Sequence, residues 1–293
     1  MSRRQDIQWR LEDGAFRAML WALSRLPYAR RVPMMGWVMS RIVAPVAGYS
    51  KRVRENLAYA CPDLPAAQVK QLARDVPDNV GRTLIEMYSG PDFAARMAAA
   101  PLQGPGVDAL LDARDTGRPI VVVTGHFGNY LAPRAALAAR GIAVGGLYNP
   151  MKNPYFNGHY VAAMQATGET MFPRGRQGYA RLLRHLKSGG AAGILIDQYM
   201  HRGAPLQFFG RPARTALSAA DLALKYDALL IPIYGIRQPD GLSFVMRVEA
   251  PIPPGTPEEM TQAANDSLEA LTREHMAQWF WIHRRWKPER EAA

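Results

Sequence analysis

A histidine lies where an apolar, β-branched run ends. Residues 121–137 read VVVTGHFGNYLAPRAAL, so His126 follows a predicted strand and precedes an alanine- and leucine-rich helical pattern. An imidazole changes protonation near neutral pH, and it can therefore take a proton from an alcohol and later return it. The flanking glycines, Gly125 and Gly128, predict close approach of a substrate to the backbone. This junction is the predicted centre of an enzymatic site.

A carboxylate that follows a second predicted strand is the first candidate partner of this histidine. Asp197 lies at the end of the run AAGILIDQ, residues 191–198. In open α/β sheets, ligands bind beyond the carboxyl ends of the strands. We therefore expect His126 and Asp197 to share one cleft, although they are far apart in sequence.

Short apolar runs alternate with helical patterns from residue 101 onward. This alternation favours an α/β fold with a central, largely parallel sheet flanked by helices. The predicted strands are 119–125, 142–148, 191–198, 228–237 and 242–250, and the predicted helices are 131–140, 157–167, 178–189 and 218–226.

The stretches on either side of this region read as helical. Residues 51–100 predict helices that are split by a turn at 61–65 and interrupted at Pro77. Residues 261–287 predict one long C-terminal helix that ends in aromatic and basic residues. We divide the chain into an N-terminal segment, residues 1–50, and a main domain, residues 51–293.

Positive charge is concentrated near the N-terminus. The formal net charge is +11, and residues 1–54 hold 11 Lys or Arg against 3 Asp or Glu. Such polarity indicates an anionic partner, either nucleic acid or a membrane surface. No zinc spacing, helix-turn-helix pattern or RNP-type aromatic motif accompanies the basic residues, so nucleic acid is not an expected partner.

The first helical pattern is amphipathic and basic, and the apolar run that follows it, 32–50, is broken by prolines and glycines. We expect residues 7–48 to lie at an anionic membrane surface, as N-terminal amphipathic helices that are associated with the membrane. The alternative is two ordinary helices packed on the domain. The apolar face is formed by Met19, Leu20, Leu23 and Leu26, and the tryptophans expected at interface depth are Trp9, Trp21 and Trp37.

Other kinds of site find little support in the sequence. A nucleotide fingerprint, a Gly-x-Ser-x-Gly elbow and a cluster of metal ligands are all absent, so we expect neither a metal nor a cofactor. The single cysteine, Cys61, excludes an internal disulfide and fits a reducing compartment.

Four sequence blocks occur in an order that resembles one protein family. The blocks resemble those of the lipid A biosynthesis (lauroyl/myristoyl) acyltransferases, within the glycerolipid acyltransferase superfamily, and the resemblance covers residues 51–287. The blocks are GHFGNY at 125–130; NPMKNP at 149–154 with FPRG at 172–175; IDQ at 196–198 leading to PLQFFGRP at 205–212; and QWFWIHRRW at 278–286.

The resemblance implies transfer of a fatty acyl group from acyl-carrier protein or coenzyme A to a membrane lipid. The expected acceptor is the hydroxyl of a 3-hydroxyacyl chain, on a lipid A precursor or on a lyso-aminolipid. The expected location is the cytoplasmic side of the inner membrane, as a peripheral protein. A basic surface also suits acyl-carrier protein, which is acidic.

Roles for individual residues follow from the chemistry of acyl transfer. His126 is the expected general base, and the N–H groups of residues 125–129 or the Arg174 cation are the expected oxyanion donors. Arg174 and Arg176 alternatively hold phosphates, or Arg176 is a solvated surface residue. The expected substrate-binding residues are Gly125, Phe127, Gly128, Asn129, Asn149, Arg174, Arg176, Phe208, Phe209 and Gly210. An acyl-chain pocket is expected to be lined by Phe127, Phe208, Phe209 and Met171; the alternative is that these side chains belong to the core.

Two positions depart from the family pattern. The resemblance implies an acid five residues after the histidine, where this chain has Leu131, and an arginine where it has Asn149. Leucine can neither accept a hydrogen bond nor offset the charge of an imidazolium. Three explanations stay open: Asp197 or Glu169 orients His126; the histidine acts alone; or the protein binds lipid without catalysis. We favour retained catalysis, with His126 and Asp197 as the catalytic residues.

Overall fold

The computed structural model describes residues 3–168 and 170–287. Glu169 therefore lies outside the described residues. Within those ranges the strands are β1 (Leu102–Gln103), β2 (Ile120–Thr124), β3 (Val144–Tyr148), β4 (Met171–Pro173), β5 (Ala191–Leu195), β6 (Ala204–Phe208), β7 (Arg211–Thr215), β8 (Leu229–Arg237) and β9 (Phe244–Val248).

Helices surround these strands. A π-helix covers Met39–Val43 and a 3-10 helix covers Met276–Gln278. The α-helices are α1 (Arg3–Ser24), α2 (Tyr28–Val38), α3 (Ala44–Val46), α4 (Tyr49–Ala60), α5 (Ala66–Met87), α6 (Gly90–Ala99), α7 (Val107–Thr116), α8 (Ala132–Ala138), α9 (Pro154–Gln165), α10 (Arg176–Lys187), α11 (Ser218–Tyr226) and α12 (Pro257–Glu274).

The central sheet has the strand order β1-β9-β8-β2-β5-β3-β4 within the described residues. Its neighbouring strands run parallel, except for the antiparallel pair β8 and β9. Every residue of β2 is buried, as expected of a strand whose two faces are both covered by helices. The predicted largely parallel α/β sheet is confirmed.

Four adjacent parallel strands, β2, β5, β3 and β4, end at the same edge of this sheet. His126 follows β2, Asp197 follows β5, Asn149 follows β3 and Arg174 follows β4. The topology therefore brings four candidate residues from distant parts of the sequence to one edge.

Two helix predictions were wrong. Pro77 does not interrupt a helix, because α5 continues through it. Pro77 is buried, and packing of α5 between α2 and α4 offsets the hydrogen bond that a proline loses. The predicted helix over 261–287 ends at Glu274, since His275 leaves the helical conformation. Trp279 and Trp281 beyond it are fully buried, so these aromatic residues pack in the core.

The N-terminal helix packs on the domain through the face that the sequence assigned to the membrane. Leu23 is buried, and Met19, Leu20 and Leu26 are partly buried against the same apolar cluster. His159 Nε2 of α9 lies 2.7 Å from Asp13 Oδ1 and fixes α1 further. In the part of the chain that the structure describes, no helix combines the length and apolarity needed to span a bilayer. The large apolar side chains that α1 leaves exposed are Ile7, Leu11 and Trp21.

Candidate active site

His126 and Asp197 form a direct pair at the sheet edge. His126 Nδ1 lies 2.8 Å from Asp197 Oδ1, and the backbone N–H of His126 donates to Asp197 Oδ2 at 2.7 Å. Trp279 Nε1 donates to the same Oδ2 at 3.0 Å. Because both carboxylate oxygens are used, the carboxylate and the imidazole are held in one relative orientation.

Asp197 is an ionised carboxylate in a fully buried position. Burial by itself would raise its pKa, but the charge and hydrogen bonds of His126, with a contribution from His283, hold the pKa well below its usual range. A buried negative charge beside Nδ1 favours the tautomer with a proton on that nitrogen. It also stabilises the imidazolium once the ring gains a second proton.

The second ring nitrogen of His126 remains available for chemistry. The side chain keeps 19% of its surface exposed. Its Nε2 makes no hydrogen bond to any residue within 3–168 and 170–287. With Nδ1 held by Asp197, Nε2 is left as the acceptor nitrogen, which is the arrangement a general base requires.

The segment after α12 supplies the other side of the site. Phe280 N–H donates to the carbonyl of His126 at 2.9 Å, and Phe127 forms an isolated β-bridge with Trp279. The ring of His283 stands edge-on to that of His126, with centroids 4.5 Å apart. The block at 278–286 was predicted only as part of the family resemblance, and Trp279 and His283 were not among the predicted site residues. An alternation of aromatic residues at a helix end was the available signal.

His283 is neutral at physiological pH. Burial and the nearby charge of His126 lower its pKa to about 4. His126, Asp197 and His283 place their ligand atoms within 4.8 Å of one another, a spacing that could hold a metal ion. However, Asp197 Oδ1 already pairs with Nδ1 and Oδ2 already accepts two hydrogen bonds, so the hydrogen bonds account for the cluster as it stands.

The loop around His126 is fastened by backbone contacts, which corrects two predictions. Gly128 has φ +54, and a Cβ there would stand 1.9 Å from the carbonyl of Gly235, so the glycine permits chain packing and not approach of a substrate. Gly125 likewise packs against Leu268. The N–H groups of His126, Phe127 and Gly128 already donate to Asp197, Gly125 and Gln278, so these three are not free oxyanion donors.

Asn129, expected to bind substrate, is a buried residue of this loop whose amide nitrogen and oxygen both hydrogen-bond within the protein. It is completely buried, donates to Glu86 at 2.9 Å and accepts from the N–H of Leu131. Glu86 is also paired with Arg237, and both are buried. Removing one partner of such a pair leaves an uncompensated buried charge, so this network holds the loop rigidly.

The block at residues 205–212 forms a turn and part of the apolar core. Phe209 and Gly210 both have positive φ and form the two-residue turn between β6 and β7, whose last pair is Phe208 with Arg211. Phe208 and Phe209 are buried and contact Trp279, Trp281 and Trp286. Phe127 is buried in the same core, so the alternative role of these three side chains as core residues is correct. Met171 is only partly buried and packs at the edge of a second apolar cluster.

The chain was compared with known proteins. The model of the bacterial lipid A biosynthesis acyltransferases matches residues 10–288. This chain belongs to that family. It is 22% identical to a lipid A biosynthesis acyltransferase of Haemophilus influenzae over 281 residues, covering 94% of this chain and 86% of the relative. It is 23% identical to a phosphatidylinositol mannoside acyltransferase of Mycobacterium tuberculosis over 245 residues, covering 82% and 78%.

This member of the lipid A biosynthesis acyltransferase family is thus an acyltransferase, and it carries exposed polar and cationic side chains at the sheet edge. Arg174 Nη1 lies 3.5 Å from Asn149 Oδ1, and Arg174 is exposed. Arg176 is exposed at the start of α10. The topology places Asn149 and Arg174 on the same edge as His126. Roles in substrate binding for Asn149, Arg174 and Arg176 stay predictions.

Position 131 is part of the apolar core in this acyltransferase. Leu131 is 5% exposed and packs in a cluster with Ala132 and Ala135. We predict that Leu131→Glu, which introduces the acid of the family pattern, lowers the free energy of unfolding by about 2 kcal/mol or more, because a carboxylate enters an apolar cluster. Activity should not rise, since Asp197 already holds Nδ1.

The matched control is Leu131→Met, which keeps volume and apolarity and should cost less than about 1.5 kcal/mol. The free energy of unfolding in urea and the rate of acyl transfer are measured for both variants. A more active Leu131→Glu variant of unchanged stability would show that Asp197 is not the orienting acid.

Proposed function

We propose that His126, oriented by Asp197, is the general base of an acyl transfer from a thioester to a lipid hydroxyl. The observation that carries this proposal is the pairing of His126 Nδ1 with a buried carboxylate while Nε2 stays without a partner among the described residues. An alcohol is a poor nucleophile at neutral pH, and a base placed in this way removes its proton as it attacks.

The proposed step balances without a cofactor. The hydroxyl oxygen of the acceptor attacks the thioester carbonyl while its proton moves to His126 Nε2. The tetrahedral intermediate then collapses, the carbon–sulfur bond breaks, and the imidazolium returns the proton to the departing thiolate. Asp197 stays ionised and stabilises the imidazolium throughout.

Arg174 is the proposed charge stabiliser for the tetrahedral intermediate or for a phosphate on a substrate. Three N–H groups of the His126 loop are already used, whereas the Arg174 guanidinium is exposed at the same sheet edge. A guanidinium also matches the geometry of phosphate oxygens. For Arg176 we propose only the binding of a phosphate on a substrate.

The acceptor we propose is a hydroxyl on a membrane lipid, and the donor is acyl-carrier protein or coenzyme A carrying the acyl chain. The two relatives are named for different lipids at nearly equal identity, which supports a lipid acceptor without favouring one headgroup. Asn149, which stands where the resemblance implies an arginine, is exposed at the sheet edge, and this supports a lyso-aminolipid with a 3-hydroxyacyl chain as an acceptor alongside a lipid A precursor.

We further propose that the protein works at the cytoplasmic face of the inner membrane as a peripheral protein. Excess positive charge within residues 1–54 supports attraction to an anionic surface. Exposed Trp21 and Trp37 support contact with the interfacial layer. Division of the chain into a membrane-facing segment, residues 1–50, and an acyltransferase domain, residues 51–293, is part of this proposal.

The test is a transfer assay with the purified full-length chain. Acyl-carrier thioester or acyl coenzyme A is mixed with a lipid A precursor or with a lyso-aminolipid, and thiol release and ester product are both measured. We expect thiol release that depends on the acceptor, with the acyl chain recovered as an ester. Thiol release of equal rate without any acceptor would contradict acyl transfer and indicate a thioesterase.

A further inference from the structure

A concave, strongly cationic surface lies among the N-terminal helices. A cavity of about 440 Å³ is formed by the π-helix, α3, α4 and α5. No residue that lines it is acidic. The cations that line it are Arg41, Lys51, Arg54, Lys70 and Arg74, and all five are exposed.

The charges of this cationic cavity are not neutralised by close partners. Lys51 lies 3.8 Å from Glu55 in an exposed pair, which is a weak interaction. The other four cations form no ion pair within residues 3–168 and 170–287. Several like charges around a concave surface create a positive potential that concentrates anions.

The fold holds the two walls of the cavity together. Ser40 Oγ in the π-helix donates to the carbonyl of Arg74 in α5 at 2.7 Å. Nearby, Gly81 of α5 lies so close to α2 that a Cβ would stand 2.4 Å from the carbonyl of Met35. The cations are therefore carried by packed helices whose relative positions are fixed before any ligand binds.

Exposed apolar side chains flank the cavity. Ile42 and Val46, which are 51% and 89% exposed, follow directly after the lining residues Arg41 and Pro45. Trp37, one turn before Arg41, is 55% exposed. Cations beside exposed apolar and tryptophan side chains are the combination found at a membrane interface, where apolar groups enter the acyl boundary and cations meet headgroups.

We propose that the cationic cavity binds the phosphate-bearing headgroup of an anionic membrane lipid, with Trp37, Ile42 and Val46 inserted beside it. The volume lies in the range of small-ligand sites, and arginine guanidinium groups match phosphate oxygens in pairs. The inference rests on the proposed function, because a membrane-lipid acceptor gives the enzyme a reason to dock.

Helix α4 links this docking surface to the active site. Lys51 and Arg54 of α4 line the cavity. Asn56 of the same helix donates to the carbonyls of Trp281 and His283, at 2.6 Å and 2.7 Å. Docking through the cavity therefore fixes the direction in which the catalytic segment faces the membrane.

The test is binding of the full-length protein to vesicles without an acyl donor. Vesicles of phosphatidylcholine alone are compared with vesicles that also contain phosphatidylglycerol, by co-sedimentation. The double variant Arg54→Gln/Lys70→Gln should bind the phosphatidylglycerol vesicles roughly 25-fold more weakly, about fivefold for each lost cation. The control variant Arg118→Gln/Lys225→Gln removes one Arg and one Lys beside the amino ends of β2 and β8, and it should bind like the unaltered protein.

The two double variants together distinguish a defined site from a general effect of charge. Equal loss in both double variants would show a diffuse charge effect and would overturn a defined site. Unchanged vesicle binding with weakened binding of acyl-carrier protein would overturn the lipid site in favour of an acidic protein. Val46→Ser changes a side chain that is 89% exposed, so it should weaken vesicle binding without altering the melting temperature. This variant keeps the proposal testable if the double charge variant does not fold. The vesicle assay contains no donor and does not depend on catalysis, so vesicle binding together with failure of the separate transfer assay would count against the proposed function alone.

Discussion

Replacing His126 with alanine is expected to lower the rate of acyl transfer by about 10²–10⁴-fold, the range of a general base. The loss should appear in kcat, because the imidazole acts on the hydroxyl in the transition state and adds little to substrate binding. The measurement is thiol release with a lipid acceptor at saturating donor. Thermal unfolding should move to lower temperature, because the variant leaves the buried Asp197 carboxylate without its charged partner, so kcat is measured well below the melting temperature.

A second histidine–aspartate pair in the chain provides a matched control for this variant. His159 lies 2.7 Å from Asp13 and joins α9 to α1, and it makes no hydrogen bond to His126 or Asp197 among the described residues. His159→Ala removes the same group from the same kind of pair and should leave kcat within a few-fold of the unaltered enzyme. A similar loss in both variants would mean that His126 matters for folding and not as the base.

Asp197→Asn is expected to have a comparably large effect, about 10²–10⁴-fold in kcat, as expected when the acid that orients a catalytic histidine becomes an amide. The carboxylate accepts from His126 N–H, from Nδ1 and from Trp279 Nε1. An asparagine has one acceptor oxygen, so its NH₂ group must face at least one of these donors. The imidazole then loses both its preferred tautomer and the charge that stabilises its protonated form.

The control for this substitution is Asp13→Asn, in the pair with His159. It should lower stability slightly and leave kcat unchanged. Because Asp197 is buried, Asp197→Asn should also lower the free energy of unfolding by about 1–3 kcal/mol. A variant with that loss of stability but normal kcat would show that Asp197 serves the fold and not the chemistry.

The sequence was sufficient to predict the sheet that carries the site. The continuous apolar run of β2 and the alternation of strands with helices indicated a parallel sheet, and the rule that ligands bind at carboxyl strand ends paired His126 with Asp197. Leu131, where the resemblance implies an acid, is buried among apolar residues, and Asp197 pairs with His126. These inferences rest on local patterns, which a single sequence contains.

Local sequence patterns did not predict the features that depend on contacts between distant segments. The residues after Glu274 have a helical pattern, yet the α-helix ends there, and Trp279 donates its indole N–H to Asp197 while its ring fills the core. Phe209 looked like a pocket residue because nothing local predicts a positive φ at a phenylalanine. The apolar face of α1 was assigned to lipid because an amphipathic pattern does not tell a membrane from a protein core.

The most direct test of the account is a double-mutant cycle on kcat with His126→Ala, Asp197→Asn and the combined variant. If Asp197 acts through the imidazole, the combined variant should be no slower than His126→Ala alone, because the two residues work as one unit. Losses that multiply, so that the combined variant is slower by the product of the two single effects, would show independent roles and would contradict the proposed pair.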